Sequence, residues 1–249
     1  MSNRLPQIVV FQEDELMQVY PYMLPYKIDS NIAIKSIDYD LEDFQNNFKI
    51  ISKNRPSLSD VYFLHPYKEN IYIEQSMAEN YLIQERLALY TKIASLVGAS
   101  QVKTYVRFEE AKSYELDVEG NLNYKVVTVS AEYKEKQEQR FSESIDDVSQ
   151  YVRKDNYNLH KNIDEIYELI NKNNLNHEIQ LKSLVEGRDD RRGGIQLTNK
   201  SIKLELTSEV NSLYQLSAKI TSPVFKVNAN LKESLKAVNR LFLELHFEF

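Results

Sequence analysis

The 249-residue chain contains no cysteine and no tryptophan, and it has five glycines and six prolines. The absence of cysteine excludes disulfide bonds, thiol catalysis, and zinc or iron–sulfur sites with cysteine ligands. A chain of this size that folds without disulfides is typical of a reducing compartment, so a cytoplasmic protein is predicted. The scarcity of glycine and proline excludes a linker-rich or disordered chain.

Long apolar runs are also missing. The N-terminal stretch MSNRLPQIVVFQEDELMQVY holds only the short run IVVF, and no segment approaches the roughly 18 apolar residues of a membrane-spanning helix. No transmembrane segment is therefore predicted. The formal net charge of −6, without an evident basic stripe, disfavours binding to nucleic acid. The abundance of Asn, Lys, Ile and Tyr is typical of an A/T-rich, bacterial coding sequence.

Familiar catalytic motifs are absent as well. The sequence has no GxxxxGK[ST], no GxGxxG and no GxSxG, and its four histidines form neither HxH nor HxxxH pairs. These absences disfavour nucleotide binding through the two common glycine-rich loops and a serine hydrolase site. We therefore expect a non-enzymatic protein that needs no cofactor.

The most informative pattern is a long alternation of apolar and polar residues from Val102 to Val118. It predicts an unusually long strand, followed by a turn at VEGNL and a return strand from Leu122 to Tyr133. A one-residue shift in the return strand predicts a β-bulge. The predicted hairpin covers about 101–137 and pairs Leu116 with Tyr124.

Other segments complete an α+β fold with a mixed or antiparallel sheet. An apolar stripe predicts a core helix over about 74–97, with Gly98 at the stop position. A helical insertion is predicted over about 142–187. The last strand, RLFLELHFEF, is expected to be paired within the sheet, because an unpaired terminal strand would be an aggregation edge. We interpret residues 1–249 as one domain with a helical subregion at 142–190.

One pattern supports an alternative, enzymatic interpretation. Glu132-Tyr133-Lys134 is an ExK sequence on the predicted return strand, as in PD-(D/E)XK nucleases, where carboxylates hold Mg²⁺ and the lysine assists the attacking water. The predicted register places Glu109 opposite Glu132. The alternative site is thus Glu109, Glu132 and Lys134, with the two glutamates as Mg²⁺ ligands. A solvated strand face with diagonal ion pairs explains the same residues.

A second pattern is the charged stretch EGRDDRRGG. Arginine binds oxyanions with two hydrogen bonds, and glycine allows close backbone approach. The candidate partner- or anion-binding loop consists of Arg188, Arg191, Arg192, Gly193 and Gly194. Gly187 suits the end of the preceding helix, and two aspartates would compete for the arginines. A solvated helix-to-strand loop is the commoner explanation of such a stretch.

Three functions are compatible with these observations. The favoured hypothesis is an interaction or assembly protein that binds another protein or itself, since the seventeen tyrosines are a residue type enriched at interfaces. The first alternative is the Mg²⁺-dependent nuclease. The second is a pore former that inserts the hairpin, although Glu110 and Lys112 interrupt its apolar face.

Overall fold

The computed structural model describes residues 5–15, 29–116, 122–142, 157–173, 175–192, 197–220, 231–232, 235 and 238–249. The chain forms two compact units, each assembled from three separate stretches. The first unit contains Met1–Leu82, Glu110–Thr128 and Ser208–Asn239. The second contains Ile83–Glu109, Val129–Thr207 and Arg240–Phe249.

The described residues form nine strands and six helices. The strands are β1 (Ile8–Gln12), β2 (Ile32–Ser36), β3 (Lys49–Ile51), β4 (Val61–Leu64), β5 (Ile71–Glu74), β6 (Gln101–Leu116), β7 (Leu122–Val127), β8 (Asn199–Glu205) and β9 (Val238–Glu248). The helices are α1 (Leu41–Asn47), α2 (Gln75–Leu96), α3 (Ala131–Ser142), α4 (Leu159–Lys172), α5 (Ile179–Arg188) and α6 (Ser208–Ala218). Two 3₁₀ turns cover Leu175–His177 and Asp190–Arg192.

The first unit contains a mixed five-stranded sheet in the order β2-β1-β4-β5-β3. Strands β1 and β2 are parallel, as are β3 and β5, whereas β4 runs antiparallel to both of its neighbours. All five residues of β1 are buried, because both faces of this sheet are covered. Ile8 and Val10 belong to one apolar cluster, and Val9 and Phe11 to another. A continuous apolar run is expected of a strand buried on both faces.

The second sheet has four strands in the order β7-β6-β9-β8. In the second unit, β8 and β9 pair antiparallel from Asn199↔Glu248 to Glu205↔Phe242. Alternate residues of β9 are buried, and they are Leu241, Leu243, Leu245 and Phe247. The prediction that the terminal strand is paired within a sheet is confirmed.

The hairpin is shorter than the sequence alternation predicted. Strand β6 runs to Leu116, but β7 ends at Val127, and the pairing is Leu116↔Leu122 and Tyr114↔Tyr124. The predicted pair of Leu116 with Tyr124 is wrong by two residues. The pairs from Ala111 to Leu116 are continuous, so the shift in alternation marks the end of β7 and not a bulge. The return arm has six residues, fewer than the 9–11 of a membrane-spanning strand on which the pore alternative depends.

The α+β fold class is confirmed. Helix α2 matches the predicted core helix, and Gly98 has a φ of +76° just beyond its end. Helices α4 and α5 lie in the predicted helical insertion. The turn at 117–121 and residues 143–156 of the predicted helical insertion fall outside the described residues. The single-domain interpretation stays a prediction. Among the helices described, none is long and apolar enough to cross a membrane.

Candidate functional site

Two residues of the alternative nuclease site lie on a different element from the predicted one. Glu132 and Lys134 lie in the first turns of α3, on a helix and not on a strand. The predicted position of Glu109 opposite Glu132 in a hairpin is therefore wrong. Lys134 lies over the Phe108 ring, with Nζ 5.9 Å from the centroid, and Glu109 pairs with Lys203. Among the described side chains, no group of three or more His, Asp or Glu residues is placed to hold a metal ion.

In the charged loop, Arg188 contacts other residues of its own unit. Its Nε and Nη1 atoms donate to the carbonyl oxygens of Val97 and Leu197, at 3.3 and 3.2 Å. Its guanidinium carbon lies 4.0 Å from the centre of the Phe249 ring. Gly187 lies inside α5 and not beyond its end, and a Cβ there would meet Leu197 at 2.4 Å. The glycine thus permits close packing of the following segment against the helix.

Arg191 is held by two carboxylates. Its Nε and Nη2 donate to the two oxygens of Asp189, at 2.8 and 3.1 Å, and its Nη1 donates to Asp164 at 2.9 Å. Hydrogen bonding to Asp189, reinforced by Asp164, raises the pKa of Arg191 above its ordinary value. Asp189 is buried, so the pair supplies the charge compensation that a buried carboxylate requires.

Of the remaining loop residues, Arg192 ends the 3₁₀ turn, while Gly193 and Gly194 fall outside the described residues. Asp190, the first residue of the turn, has its Oδ1 atom 2.6 Å from His160 Nε2. The contacts of Arg188 and Arg191 favour a structural role for this stretch, in which it joins α4, α5 and the start of β8. Binding of a partner or anion by the loop stays a prediction.

A larger candidate site lies on the exposed side of the antiparallel sheet in the second unit. Alternate residues of β6, β9 and β8 point away from the buried side of the sheet. We call this surface the polar face, and its residues are Lys103, Tyr105, Arg107, Glu109, Asn199, Ser201, Lys203, Glu205, Arg240, Phe242, Glu244, His246 and Glu248. Four bases and four acids are distributed among the three strands, so the face has no net charge with histidine neutral.

An aromatic row occupies the middle of the polar face. The Tyr105 and His246 rings meet edge to face with centroids 5.6 Å apart, and Arg107 lies 5.5 Å from the Tyr105 centroid. On the side of β9 that faces β8, the His246 Nδ1 atom is 2.6 Å from Ser201 Oγ. This hydrogen bond fixes the imidazole plane against Tyr105. Tyr105 remains 43% exposed, so its ring is accessible on the polar face.

A second aromatic residue, Phe242, lies between two cations. Lys203 Nζ is 4.4 Å from its ring centroid and the Arg240 guanidinium carbon is 5.0 Å away. Arg240 also donates to Glu205 at 3.2 Å. Cations at such distances are attracted by the ring quadrupole. The result is a patch in which aromatic and charged side chains hold one another in defined positions.

Cross-strand ion pairs surround the aromatic residues. Lys103 lies 3.6 Å from Glu248, Arg107 lies 3.6 Å from Glu244, and Lys203 pairs with Glu109. These contacts follow from the antiparallel order of the strands, which places residues distant in sequence opposite one another. Each side chain is at least partly exposed, so the individual pairs contribute little to stability.

Sequence reasoning recognised part of this face. The alternation of apolar and polar residues places Tyr105 and His246 on the polar sides of their strands, but no sequence motif joins them. Ser201 and His246 are 45 residues apart in sequence, so their contact depends on the pairing of β8 with β9, which local patterns do not encode. The only sequence pattern that indicates this face is the alternation of apolar and polar residues in each of the three strands.

No family model matches this sequence, and comparisons with curated proteins and with solved structures found no match.

Proposed function

We propose that the chain is a non-enzymatic interaction protein of the cytoplasm and that its polar face binds a protein. The observation that carries this proposal is the exposed cluster of Tyr105, Arg107 and His246 in the middle of a sheet surface. Tyrosine and arginine are the residue types over-represented at the energetic centres of protein interfaces.

Rigidity also supports a binding role for this face. The imidazole of His246 is held by Ser201, and Phe242 is flanked by Lys203 and Arg240. Side chains already fixed in one arrangement lose less conformational entropy when a partner binds, so more of the contact energy appears as affinity.

The charge balance favours a protein over a nucleic acid. Every base on the face has an acidic neighbour on the same surface, with pairs such as Lys103–Glu248 and Arg240–Glu205. Phosphate binding depends on an excess of Lys and Arg that releases counterions, and equal numbers of acids and bases do not provide it. Mixed charges around aromatic residues suit a polypeptide surface of complementary pattern.

The test compares Tyr105→Ala with Tyr39→Ala in a quantitative pull-down from the native host, using an N-terminal tag. Tyr39 is also exposed, at 76%, but it belongs to the first unit and not to the polar face. We expect Tyr105→Ala to reduce recovery of the bound protein by about tenfold or more, as for an interface hot spot. Tyr39→Ala is expected to retain it. Equal recovery with both variants would reject the polar face as the binding surface.

A further inference from the structure

We infer that the polar face binds a second copy of the same face, so that the chain forms a two-fold symmetric dimer. This inference rests on the proposed function and specifies its partner. A two-fold interface uses the same patch on both subunits, so the patch must be complementary to itself. The order of charges on β6, β9 and β8 meets this requirement.

The pattern is clearest along β6. Its outward residues are Lys103, Tyr105, Arg107 and Glu109, which read base, aromatic, base, acid. When a second copy lies face to face with its β6 reversed, a two-fold axis between Tyr105 and Arg107 places Lys103 opposite Glu109. The same axis places each Tyr105 opposite an Arg107, which repeats between subunits the cation–π contact already present within one.

The neighbouring strands agree with the same axis. Contacts Tyr105–His246 and Arg107–Glu244 align β9 with β6, so the axis also places His246 opposite Glu244. Glu248 then faces Phe242, whose ring is flanked by bases.

On β8, the pairing Ser201↔His246 and Lys203↔Glu244 places Ser201 opposite Lys203. Like charges do not meet at any of these positions. An axis parallel to the strands and over β9 would instead place β6 opposite β8. Arg107 and Lys203 both lie beside Glu244, so they would face each other, and like-charge contacts of this kind are unfavourable at interfaces. The charge pattern therefore favours the axis that runs across the strands.

The existing ion pairs can exchange partners on dimerisation. Lys103 and Glu248 are each more than half exposed at a separation of 3.6 Å, and pairs of this type are weak in water. Exclusion of water in a dimer would strengthen the contacts between subunits.

The test uses two charge reversals, Lys103→Glu and Glu109→Lys. Either variant alone places like charges opposite each other in its own homodimer, at 103 and 109. When the two variants are mixed, both contacts in the heterodimer are again between opposite charges. Sedimentation velocity measures each sample, and native mass spectrometry identifies the heterodimer when one of the two variants is uniformly labelled with a heavy isotope. Lys92→Glu is the control, because it breaks the exposed Lys92–Glu165 pair in the same unit but away from the face.

We expect the unaltered chain and Lys92→Glu to dimerise, and each reversal to raise the dimer dissociation constant by about tenfold or more. The equimolar mixture is expected to recover a dimer with one copy of each variant. Far-UV circular dichroism confirms that all variants are folded. A monomeric unaltered chain at every soluble concentration, or a mixture that remains monomeric, would reject the inference.

The outcome for the dimer is separable from that for the proposed function. Suppose that the unaltered chain is monomeric but that Tyr105→Ala recovers less of a different protein in the pull-down. The dimer is then rejected, whereas binding of a protein by the polar face is supported. If the unaltered chain is monomeric and Tyr105→Ala also leaves the pull-down unchanged, both the dimer and the binding role of the face are rejected.

Discussion

The Oε1 atom of Glu138 lies 2.7 Å from the backbone nitrogen of Phe108 and accepts its hydrogen bond. Strand β6 at this point lies beyond the last β6–β7 pair, Ala111↔Val127. The chain leaves the sheet after Val127, and α3 returns a side-chain carboxylate to the strand. A helix side chain thus satisfies a strand donor that would otherwise require a neighbouring strand or water.

Replacement of Glu138 by alanine is expected to lower the free energy of unfolding by about 1–3 kcal/mol, because a partly buried N–H loses a charged acceptor. Glu138→Gln keeps an acceptor of similar length and is expected to cost less than half as much. Urea denaturation measures both. Glu135→Ala is the control, since Glu135 is exposed on the same helix. Equal effects of Glu138→Ala and Glu135→Ala would show that this hydrogen bond does not contribute.

The same segment shows why sequence reasoning extended the hairpin too far. Alternation of Val127, Val129, Ala131 and Tyr133 was interpreted as a strand, although the next residues are mainly Glu, Lys, Gln and Arg, which favour helices. Ser130 accepts a hydrogen bond from the backbone nitrogen of Tyr133 at 3.1 Å, as a helix-capping serine does. The sequence contains this capping serine, but the short apolar alternation over the same residues favours a strand.

The elements with the strongest local patterns were predictable. Helix α2 and strand β9 carry apolar periodicity, and both lie where the sequence predicts them. The polar face was only partly predictable, because Tyr105, Ser201 and His246 come from three separate strands. Their contacts depend on strand order and register, which are set by tertiary packing and not by local sequence.

Arg191 and Asp189 are expected to be coupled in stability. Arg191→Ala removes both hydrogen bonds to the buried Asp189 carboxylate, so this negative charge loses its contact with the guanidinium group. Adding Asp189→Asn removes that charge. The decrease in thermal midpoint for the double variant should therefore be smaller than the sum of the two single decreases. Additive decreases in melting temperature would show that Arg191 and Asp189 act independently.

Alkaline pH is expected to destabilise the first unit through Tyr72. Burial raises the pKa of Tyr72 from its ordinary value of 10.0 to about 12. Because the pKa is higher in the folded state, the stabilisation is complete below pH 10 and is lost as pH rises towards about 12. Tyr72→Phe cannot ionise, so its unfolding free energy should decrease less steeply over this range.

At neutral pH, Tyr72→Phe is expected to cost about 1 kcal/mol, since the hydroxyl donates to the Pro6 carbonyl oxygen at 2.8 Å. Urea denaturation at a series of pH values gives both the cost of Tyr72→Phe at neutral pH and the change in unfolding free energy with pH. Tyr39→Phe is the control, because that side chain is 76% exposed. Parallel alkaline profiles for Tyr72→Phe and the unaltered chain would contradict the assigned titration.

A side chain at Gly98 is expected to be destabilising, because two independent constraints act there. Its φ of +76° lies in the left-handed region, where a Cβ costs about 1–2 kcal/mol. A Cβ would also lie 2.1 Å from the Tyr157 hydroxyl oxygen, which donates to the Leu96 carbonyl at 3.1 Å. Alanine must therefore displace the tyrosine and break a hydrogen bond at the end of α2.

The two contributions at Gly98 separate in a double-mutant cycle. In the unaltered background, Gly98→Ala should lower the free energy of unfolding by more than the cost of the left-handed φ alone. In a Tyr157→Ala background the collision is absent, and the cost of Gly98→Ala should decrease to about 1–2 kcal/mol. Chemical denaturation of the four proteins measures the difference, which is the steric part of the constraint. The same cost in both backgrounds would mean that φ alone requires glycine at this position, and that Tyr157 moves aside without loss of stability.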